Sequence, residues 1–600
     1  MANTQESGYF NAHKIIVGVD YGTTFTGVAY VTTAKNDIDD IVVITSWPGT
    51  GRHSETVFKV PSRIAYPDEN YKIQDIKWGF QVEPRMTSYS WTKLLLDKNG
   101  PAAEFDDETL ALQAAVGMPV LRLPKNKDAV SVAGDFLKAI YKHTINILEK
   151  QISEKTLAVT PLEFWFTMPA IWSDEAQSAT REAAMQAGFA SRRGDQIFMI
   201  TEPEAAALAA LKRSASAGPL MCPKEGDGIL ICDCGGGTVD ITTYRIIGVY
   251  PRLTFEELCT GTGAKCGSTT IDREFYKLMS KRFGDAFDRL PLKLKGPGSE
   301  FMNAFERIKQ DFGYSTVGDE IYELPLDMST EDALPKYFDE DERLVKISQQ
   351  DVCNLFDPVV ERVKALVLQQ IGAANLDAAE DVINKIILVG GFGDSEYLRK
   401  ALKQHFTATS DIQLIVPQYP QAAIVKGAVL RGLEGVRPTT RRCRRHYGFC
   451  YVAPFRKGVD DEAKATFCEF YGTKFGPPRM NWMIEKGEKV LENTCQRVEL
   501  YRSSTVPFTK ISTCLYSCSL DDAPQDPSHQ RVNIVGNIVS DVSNISSPFI
   551  ESKINQNGVR VYALHFEIEM HFGAKEGVLK FKTVVGGNVV GEAEIDFSKN

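Results

Sequence analysis

The sequence predicts an α/β fold of two related lobes, followed by a β-sandwich-like C-terminal domain. Three observations support this prediction. Apolar strands alternate with helical patterns up to about residue 436, and a strand that ends in aspartate before a glycine-rich loop occurs twice in that region. Beyond residue 447 the pattern changes to strands with alternating polar and apolar residues.

Composition sets the outer limits of the prediction. The 600 residues allow about three to five compact domains, and 43% of them are hydrophobic, which excludes wholesale disorder. A net charge of -10 excludes a uniformly basic nucleic-acid binder. No apolar run is long enough to cross a membrane, so we expect a cytoplasmic or nuclear protein with neither nucleic acid nor membrane as its partner.

The first half of the chain opens with a flexible tail at residues 1–13 and continues into a first lobe at 14–205. Two β-rich runs, Lys14 to Asp20 and Gly27 to Thr32, are predicted to form a hairpin. Ser173 is a candidate N-cap for a helix that ends near Gly188. A second helix begins at Thr201, where Glu204 is spaced for a capping box.

The second lobe is predicted at 206–436, with an acidic, loop-like excursion from Asp319 to Arg343. Residues 437–446 contain five arginines and a proline, which indicates a basic linker; a polyanion-binding role is the alternative. The β-rich domain follows at 447–600. Its predicted strands are Val498 to Ser503, Ile511 to Ser519, Val532 to Val539, Val561 to Met570, Leu579 to Val585 and Val589 to Ile595.

An approximate internal repeat is the most informative feature of the chain. Ile15 to Thr24 reads IIVGVDYGTT, and Ile229 to Thr238 reads ILICDCGGGT. A looser third copy, Ile386 to Gly393, reads IILVGGFG. One such copy alone is equally compatible with a simple tight hairpin, but three copies in this order indicate a nucleotide site between two related lobes.

Phosphate binding explains the residue types in the repeat. Backbone N–H groups surround a phosphate only where side chains leave room, and hydroxyl groups add further donors. An aspartate at the end of each strand, Asp20 or Asp233, is placed to hold magnesium against phosphate oxygens. The corresponding glycines and threonines are Gly22, Thr23, Thr24, Gly235, Gly236, Gly237 and Thr238. No Walker-type loop occurs, and a strand after the first loop disfavours a Rossmann site.

With these motifs, the sequence resembles the 70-kilodalton heat-shock (DnaK-type) chaperone family of the actin-like ATPase superfamily. The resemblance covers residues 14 to about 436. Trp91 to Asp97 (WTKLLLD) and the arginine-rich segment are more similar to the divergent vertebrate branch numbered twelve. Besides the loops, it rests on Phe166 to Asp174 (FTMPAIWSD), Thr201 to Ala207 (TEPEAAA), Phe305 to Lys309 (FERIK), Ile387 to Gly391 and Ala422 to Leu430 (AAIVKGAVL).

The resemblance implies an actin-like ATPase fold that binds ATP or ADP with Mg²⁺, and it implies a role for individual residues. Glu202, Lys93 and Asp233 match catalytic positions, and Asp20, Asp233 and Asp240 match metal-site positions. Thr23 and Thr238 match hydroxyls beside the phosphates. The ribose and adenosine contacts match Glu306, Lys309, Gly390 and Gly391.

Several family positions differ in this chain. Gln310 and Asp394 stand where arginines are usual, Gly313 replaces a serine and Gln421 an aspartate. Loss of the stacking cation and the hydroxyl predicts weaker or altered purine binding. Gln177 replaces the arginine that relays signals between domains, which questions interdomain coupling.

Three functions are compatible with the sequence. The first is an ATP-binding, weakly ATP-hydrolysing chaperone-like protein, whose nucleotide state controls binding of a polypeptide client or protein partner by 447–600. The second is a nucleotide-bound scaffold or sensor without hydrolysis. The third is a small-molecule kinase of the same superfamily, against which the motif at Thr201 to Ala207 and the β-rich domain weigh.

Overall fold

A computed structural model of the protein describes residues 13–35, 37–49, 57–97, 105–107, 121–212, 223–250, 253–314, 320–330, 334–409, 412–435, 438–491, 494–545, 548–571 and 580–594. The chain divides into two compact units, one of Met1–Thr254 with Gly261–Arg437 and one of Phe255–Thr260 with Pro438–Asn600. Of the predicted tail at 1–13, only the last residue is described. Among the described helices, none combines the length and the apolar character needed to cross a membrane.

The first sheet of the larger unit has six strands around Ile15–Tyr21, which is buried along its whole length. This strand pairs antiparallel with Phe25–Thr32, which confirms the predicted hairpin, and parallel with Leu162–Met168. Burial on both faces explains its almost continuous apolar sequence. The other strands of the sheet are Val42–Val43, Val60–Pro61 and Gln196–Thr201.

Capping in this half of the unit is only partly as predicted. The Ser173 hydroxyl accepts a hydrogen bond from the backbone N–H of Ala176 (3.2 Å), so the predicted N-cap is confirmed. The capping box at Thr201 is wrong, because the Thr201 side chain makes no cap hydrogen bond and Glu204 lies buried 3.9 Å from Arg431. The helices are Ala129–Ile152, Glu154–Val159, Asp174–Gln186 and Glu202–Leu211, and a small sheet contains Arg63–Ala65, Lys77–Trp78 and Tyr89–Ser90.

The second sheet of this unit repeats the arrangement of the first. Gly228–Cys234 pairs antiparallel with Val239–Gly248 and parallel with Ile383–Val389. Each half therefore contains the strand, glycine loop and second strand that the sequence repeat predicts. In each half the first of these strands also has a parallel neighbour. Among the other strands of this six-stranded sheet, Thr262–Ala264 pairs with the second hairpin strand and Gln413–Ile415 with the parallel neighbour.

The helices of this half are Thr269–Phe283, Asp285–Asp288, Leu292–Lys295, Glu300–Asp311, Gln349–Ala378, Glu396–Thr409 and Pro420–Glu434. The acidic segment predicted as a loop contains strands, so that prediction is wrong for its described part. Ile321–Pro325 and Phe338–Asp339 both pair with Leu344–Ser348. Burial of Leu324 and Phe338 explains why this acidic stretch is ordered.

The smaller unit consists mainly of two antiparallel sheets. A shared core with Phe449, Leu515, Ile568 and Phe581 draws side chains from both sheets. The four-stranded sheet contains His446–Tyr451, Arg479–Ile484, Lys510–Cys518 and Val532–Asp541. The five-stranded sheet contains Cys495–Ser504, Ile550–Ile554, Arg560–His571, Lys580–Val585 and Asn588–Glu594. The six predicted strands are confirmed, apart from Leu579 and Ile595, which lie outside the described residues.

The described part of the predicted basic linker carries a strand. Thr440–Arg442 pairs antiparallel with Lys489–Leu491. Within the same unit, the buried carboxylate of Glu257 accepts a hydrogen bond from the backbone N–H of Arg442 (2.8 Å) and contacts the Arg444 side chain (3.3 Å). Arg442 and Arg444 are therefore held by Glu257, because a buried carboxylate needs compensating donors. Elsewhere in this unit, Thr466–Cys468 and Thr473–Phe475 form a short hairpin.

Candidate nucleotide site

The two glycine loops of the sequence repeat lie against each other. A Cβ atom on Gly236 would lie 2.3 Å from the Thr24 hydroxyl oxygen, and one on Gly237 would lie 2.4 Å from that of Thr23. Both distances are far below van der Waals contact, so the approach of the loops requires glycine at these positions. The repeat therefore converges on one place in the larger unit.

A cavity of about 430 Å³ lies at these loops. Of the site residues predicted from the sequence, the structure brings together all but one on its walls. These residues are Asp20, Gly22, Thr23, Thr24, Lys93, Glu202, Asp233, Gly235, Gly236, Gly237, Thr238, Glu306, Lys309, Gly390 and Gly391. The convergence of residues from across some 370 positions of the chain identifies this cavity as the candidate site.

Asp240 is the predicted site residue that does not line the cavity. It is fully buried, and its Oδ1 atom accepts hydrogen bonds from the backbone N–H groups of Ala170 (2.8 Å) and Ile171 (3.3 Å). Burial raises the pKa of Asp240, although these hydrogen bonds oppose the rise. Asp240 thus contacts the backbone that follows the strand Leu162–Met168. The metal-binding role of Asp240 stays a prediction.

Lys93 and Glu202 form a buried ion pair on the cavity wall. The Lys93 Nζ atom lies 2.7 Å from Oε1 of Glu202 and 5.1 Å from the centre of the Trp172 ring. Burial raises the pKa of Glu202 to about 7, although the Lys93 charge opposes this effect. A carboxyl group with a pKa near neutral pH is suited to orienting or deprotonating water.

Asp20 has a different environment, set by a residue that the sequence analysis missed. The Nζ atom of Lys59 lies 2.6 Å from Oδ2 of Asp20, and the Thr167 hydroxyl donates to Oδ1 (2.8 Å). Burial alone would raise the pKa of Asp20, but the charges of Lys59 and Lys93 and these hydrogen bonds lower it. Likewise, burial would lower the pKa of Lys59, whereas Asp20 raises it. The signal in the sequence that could have identified Lys59 is its position as a single lysine within an apolar run.

Asp233 is the carboxylate with the least compensation. Its Oδ1 atom is buried and has no hydrogen-bond partner among the described residues. Burial, together with the charges of Glu202 and Asp240, raises the pKa of Asp233 well above its usual range. A hard cation with oxygen ligands, such as magnesium, fits this orphaned carboxylate and the neighbouring Asp20.

The predicted ribose-binding residues lie together at another part of the wall. The Lys309 Nζ atom is 2.7 Å from carboxylate oxygens of both Glu306 and Asp272. Burial would lower the pKa of Lys309, but Asp272 and Glu306 raise it. Asp272 was missed by sequence reasoning, since it precedes the motif at Phe305 to Lys309 by more than thirty residues.

Comparison with known proteins agrees with this geometry. The family model described as Hsp70 protein matches residues 16–438, the region that holds both loops and the cavity. The chain belongs to the Hsp70 family. Membership supports a nucleotide-binding, chaperone-like function, since Hsp70 proteins in general bind ATP or ADP with Mg²⁺.

The relatives found include members of the divergent Hsp70 branch, as the sequence analysis anticipated. Human Heat shock 70 kDa protein 12A is 24% identical over 72% of this chain and 71% of its own length. Human Heat shock 70 kDa protein 12B is also 24% identical, over 85% of this chain and 81% of its own. Chaperone protein DnaK of Psychrobacter cryohalolentis is 26% identical over 70% of this chain and 58% of its own.

The residues that depart from the Hsp70 pattern bond to one another or to neighbours. The Gln421 side chain donates to the Asp394 carboxylate (2.7 Å), and Gln310 donates to Glu306 (3.3 Å). Gly313 has a φ of +102° and lies against the Tyr397 backbone, so a serine would be strained there. Gln310 and Asp394 thus place an amide and a carboxylate on the cavity wall at the two positions where the resemblance implies arginines.

Proposed function

We propose that the protein binds ATP with magnesium in the cavity at the two glycine loops and slowly hydrolyses it to ADP and phosphate. One observation carries the proposal. The loops, a buried lysine–glutamate pair and an uncompensated aspartate converge on a single cavity. Loop amides favour phosphate oxygens, and the acidic groups favour a cation and an ordered water molecule.

In this proposal the loops hold the phosphates and the buried pair acts on the reaction. Glycines at 22, 236 and 237 leave room for phosphate oxygens beside the loop backbone, and Thr23 and Thr238 add hydroxyl donors. The ionised Glu202 accepts a hydrogen bond from the attacking water, and Lys93 donates to oxygens of the transferring phosphoryl group. The Lys93 ammonium has three N–H donors, so it can donate to phosphate oxygens and still contact Glu202 at 2.7 Å.

Magnesium would be held by Asp233 and Asp20, and it would neutralise negative charge on the phosphates. The support for this role is the orphaned Oδ1 atom of Asp233. Asp20 is already paired with Lys59, so the metal ion would have to replace Lys59 as the partner of this carboxylate oxygen.

Phosphate release from the purified full chain tests the proposal. We expect slow release with ATP alone, and a loss of about a hundredfold or more in Glu202→Gln. Lys385→Met is the control, because Lys385 pairs with Asp227 away from the cavity. Equal release by all three proteins would contradict the assignment of hydrolysis to this cavity.

A nucleotide-bound scaffold without hydrolysis is the second candidate. The observation that favours it is the mutual contact of Lys93 and Glu202, since each satisfies the charge that the reaction would use. The same assay separates the two candidates. Nucleotide binding without phosphate release supports the scaffold, whereas release supports the ATPase.

We further propose that the smaller unit is a β-sandwich that binds a polypeptide or protein partner under control of the nucleotide. The core shared by its two sheets supports the sandwich architecture. Phe467 and Tyr471 are exposed aromatic residues of this unit and offer apolar contacts. Stimulation of phosphate release by an unfolded peptide would support this coupling, and an unchanged rate across saturating peptide would contradict it.

A further inference from the structure

Lys59 adds an ammonium group to the cavity wall beside the first glycine loop. Its side chain is 11% exposed, lines the cavity and pairs with Asp20, whose side chain is 3% exposed. The residue lies directly before Val60–Pro61, and that strand pairs with Phe25–Thr26 beyond the first glycine loop. The sheet therefore fixes the backbone that carries Lys59 next to the loop predicted to hold phosphate.

The charges near the loops show what Lys59 changes. Asp20, Glu202 and Asp233 supply three carboxylates, and Lys59 and Lys93 supply two ammonium groups. When all five are ionised the set carries one negative charge, and without Lys59 it would carry two. A polyphosphate anion enters the first arrangement at a lower electrostatic cost than the second.

The pairing with Asp20 also affects a metal ion. One oxygen of Asp20 faces the Lys59 ammonium and the other accepts from Thr167, so each oxygen already has a hydrogen-bond partner. The Oδ1 atom of Asp233, in contrast, is buried and has no hydrogen-bond partner among the described residues. The site thus holds a resident ammonium group beside one of the two aspartates predicted to bind magnesium.

We propose that Lys59 is a phosphate-binding residue. Its positive charge replaces part of the positive charge that magnesium would supply, so that ATP and ADP bind this protein without magnesium. The inference rests on the proposed nucleotide binding. In it, the Lys59 ammonium donates hydrogen bonds to phosphate oxygens, and such charge-assisted bonds are among the strong ones in proteins. The alternative is that the pair of Lys59 and Asp20 only stabilises the fold.

Calorimetric titration of the full chain tests the role of Lys59 without any readout of catalysis. ATP and adenosine are titrated in magnesium and in EDTA, into wild type, Lys59→Met and Lys59→Arg. Lys385→Met is the matched control: Lys385 also pairs with an aspartate at 2.6 Å and is 13% exposed, but it lies outside the cavity lining. Thermal unfolding of each variant verifies that it is folded.

We expect wild type to bind ATP in EDTA within about tenfold of its affinity in magnesium. Lys59→Met should lose about ten- to a hundredfold of ATP affinity in EDTA, but much less in magnesium. Lys59→Arg should retain binding in EDTA because it keeps the charge. Adenosine has no phosphate, so its affinity should not change in any variant.

Two results would overturn the inference while leaving ATP binding intact. One is a wild type that binds ATP only with magnesium. The other is a Lys59→Met variant that behaves like Lys385→Met, or that loses ATP and adenosine affinity equally in both buffers. If the folded wild type binds ATP in neither buffer, the proposed function itself fails and the inference fails with it.

Discussion

Individual carboxylates in the cavity differ in how their charge is compensated. Asp20 has an ammonium group and a hydroxyl, Glu202 has one ammonium group, and one oxygen of Asp233 has no hydrogen-bond partner among the described residues. Burial acts on all three, so the direction of each pKa shift follows from the partners. These differences lead to two predictions about single residues.

Asp233→Asn should stabilise the ligand-free protein and impair its function. Removing an uncompensated buried charge should raise the free energy of unfolding by about 1–2 kcal/mol. Asp227→Asn is the control, because Asp227 pairs with Lys385 at 2.6 Å and its loss should cost about 1–3 kcal/mol. Urea unfolding measures both, and a similar destabilisation in the two variants would contradict the prediction. ATP titration should also show that Asp233→Asn loses the effect of magnesium.

Glu202 should make stability depend on pH. Its pKa is about 7 in the folded protein against an ordinary value of 4.5, so the folded state binds more protons between these values. Its contribution to the free energy of unfolding therefore falls as pH rises through this window. The free energy of unfolding of Glu202→Gln, measured relative to wild type, should therefore be higher at pH 8 than at pH 5 by about 1–3 kcal/mol. Urea unfolding at both pH values measures this difference, and a pH-independent difference would show that burial does not raise the pKa of Glu202.

At the scale of elements, the repeated hairpins position the chemistry. Each strand delivers its aspartate to a glycine loop, and the close approach of the loops explains the small residues. In a simple turn, glycine is needed where the backbone φ angle of that residue is positive. Gly236 and Gly237 instead need it because of residues in the other loop.

Gly236→Ala should weaken ATP binding by about tenfold or more, because the new methyl group collides with Thr24 and pushes the loops apart. Gly372→Ala is the control. Gly372 lies in the helix Gln349–Ala378 with open space around its Cβ position, so alanine should leave affinity unchanged and add about 0.5–1 kcal/mol to stability. ATP titration and thermal unfolding measure both effects. Unchanged ATP affinity in Gly236→Ala would mean that the loops do not need this approach.

At the scale of the whole molecule, the smaller unit is not one continuous stretch of sequence. It includes Phe255–Thr260, nearly two hundred residues before most of its strands. Glu257 from this segment is 4% exposed and accepts from the backbone of Arg442 at 2.8 Å. The predicted linker is therefore structured through a partner that is distant in sequence.

Glu257→Ala should loosen residues 440–451, because the Arg442 N–H group loses its buried acceptor. Hydrogen–deuterium exchange should show a free energy of opening lower by about 1–3 kcal/mol in this segment. Glu256→Ala is the neighbouring control, since Glu256 makes a partly exposed ion pair with Lys489 and its loss should cost less than about 1 kcal/mol. Equal protection of the segment in Glu257→Ala and wild type would contradict the prediction.

Sequence reasoning was accurate where the signal is local. The hairpin at Ile15–Tyr21, the N-cap at Ser173 and the six strands after residue 447 follow from patterns within a few neighbouring residues. It failed where a distant partner decides the outcome. Glu204 is spaced for a capping box yet is buried near Arg431, and the acidic segment gains its strands by burying Leu324 and Phe338.

By itself the sequence determined the family and the two glycine loops, and nearly all of the site residues it predicted line the cavity, because the strand–aspartate–glycine pattern carries its chemistry within ten residues. Only the tertiary structure decided which charges meet. It brings Lys59 to Asp20 and Glu257 to Arg442, and it turns Asp240 toward the backbone of Ala170. These pairings depend on Coulomb energies at distances below about 3 Å between groups far apart in sequence, and such distances exist only once the sheets have formed.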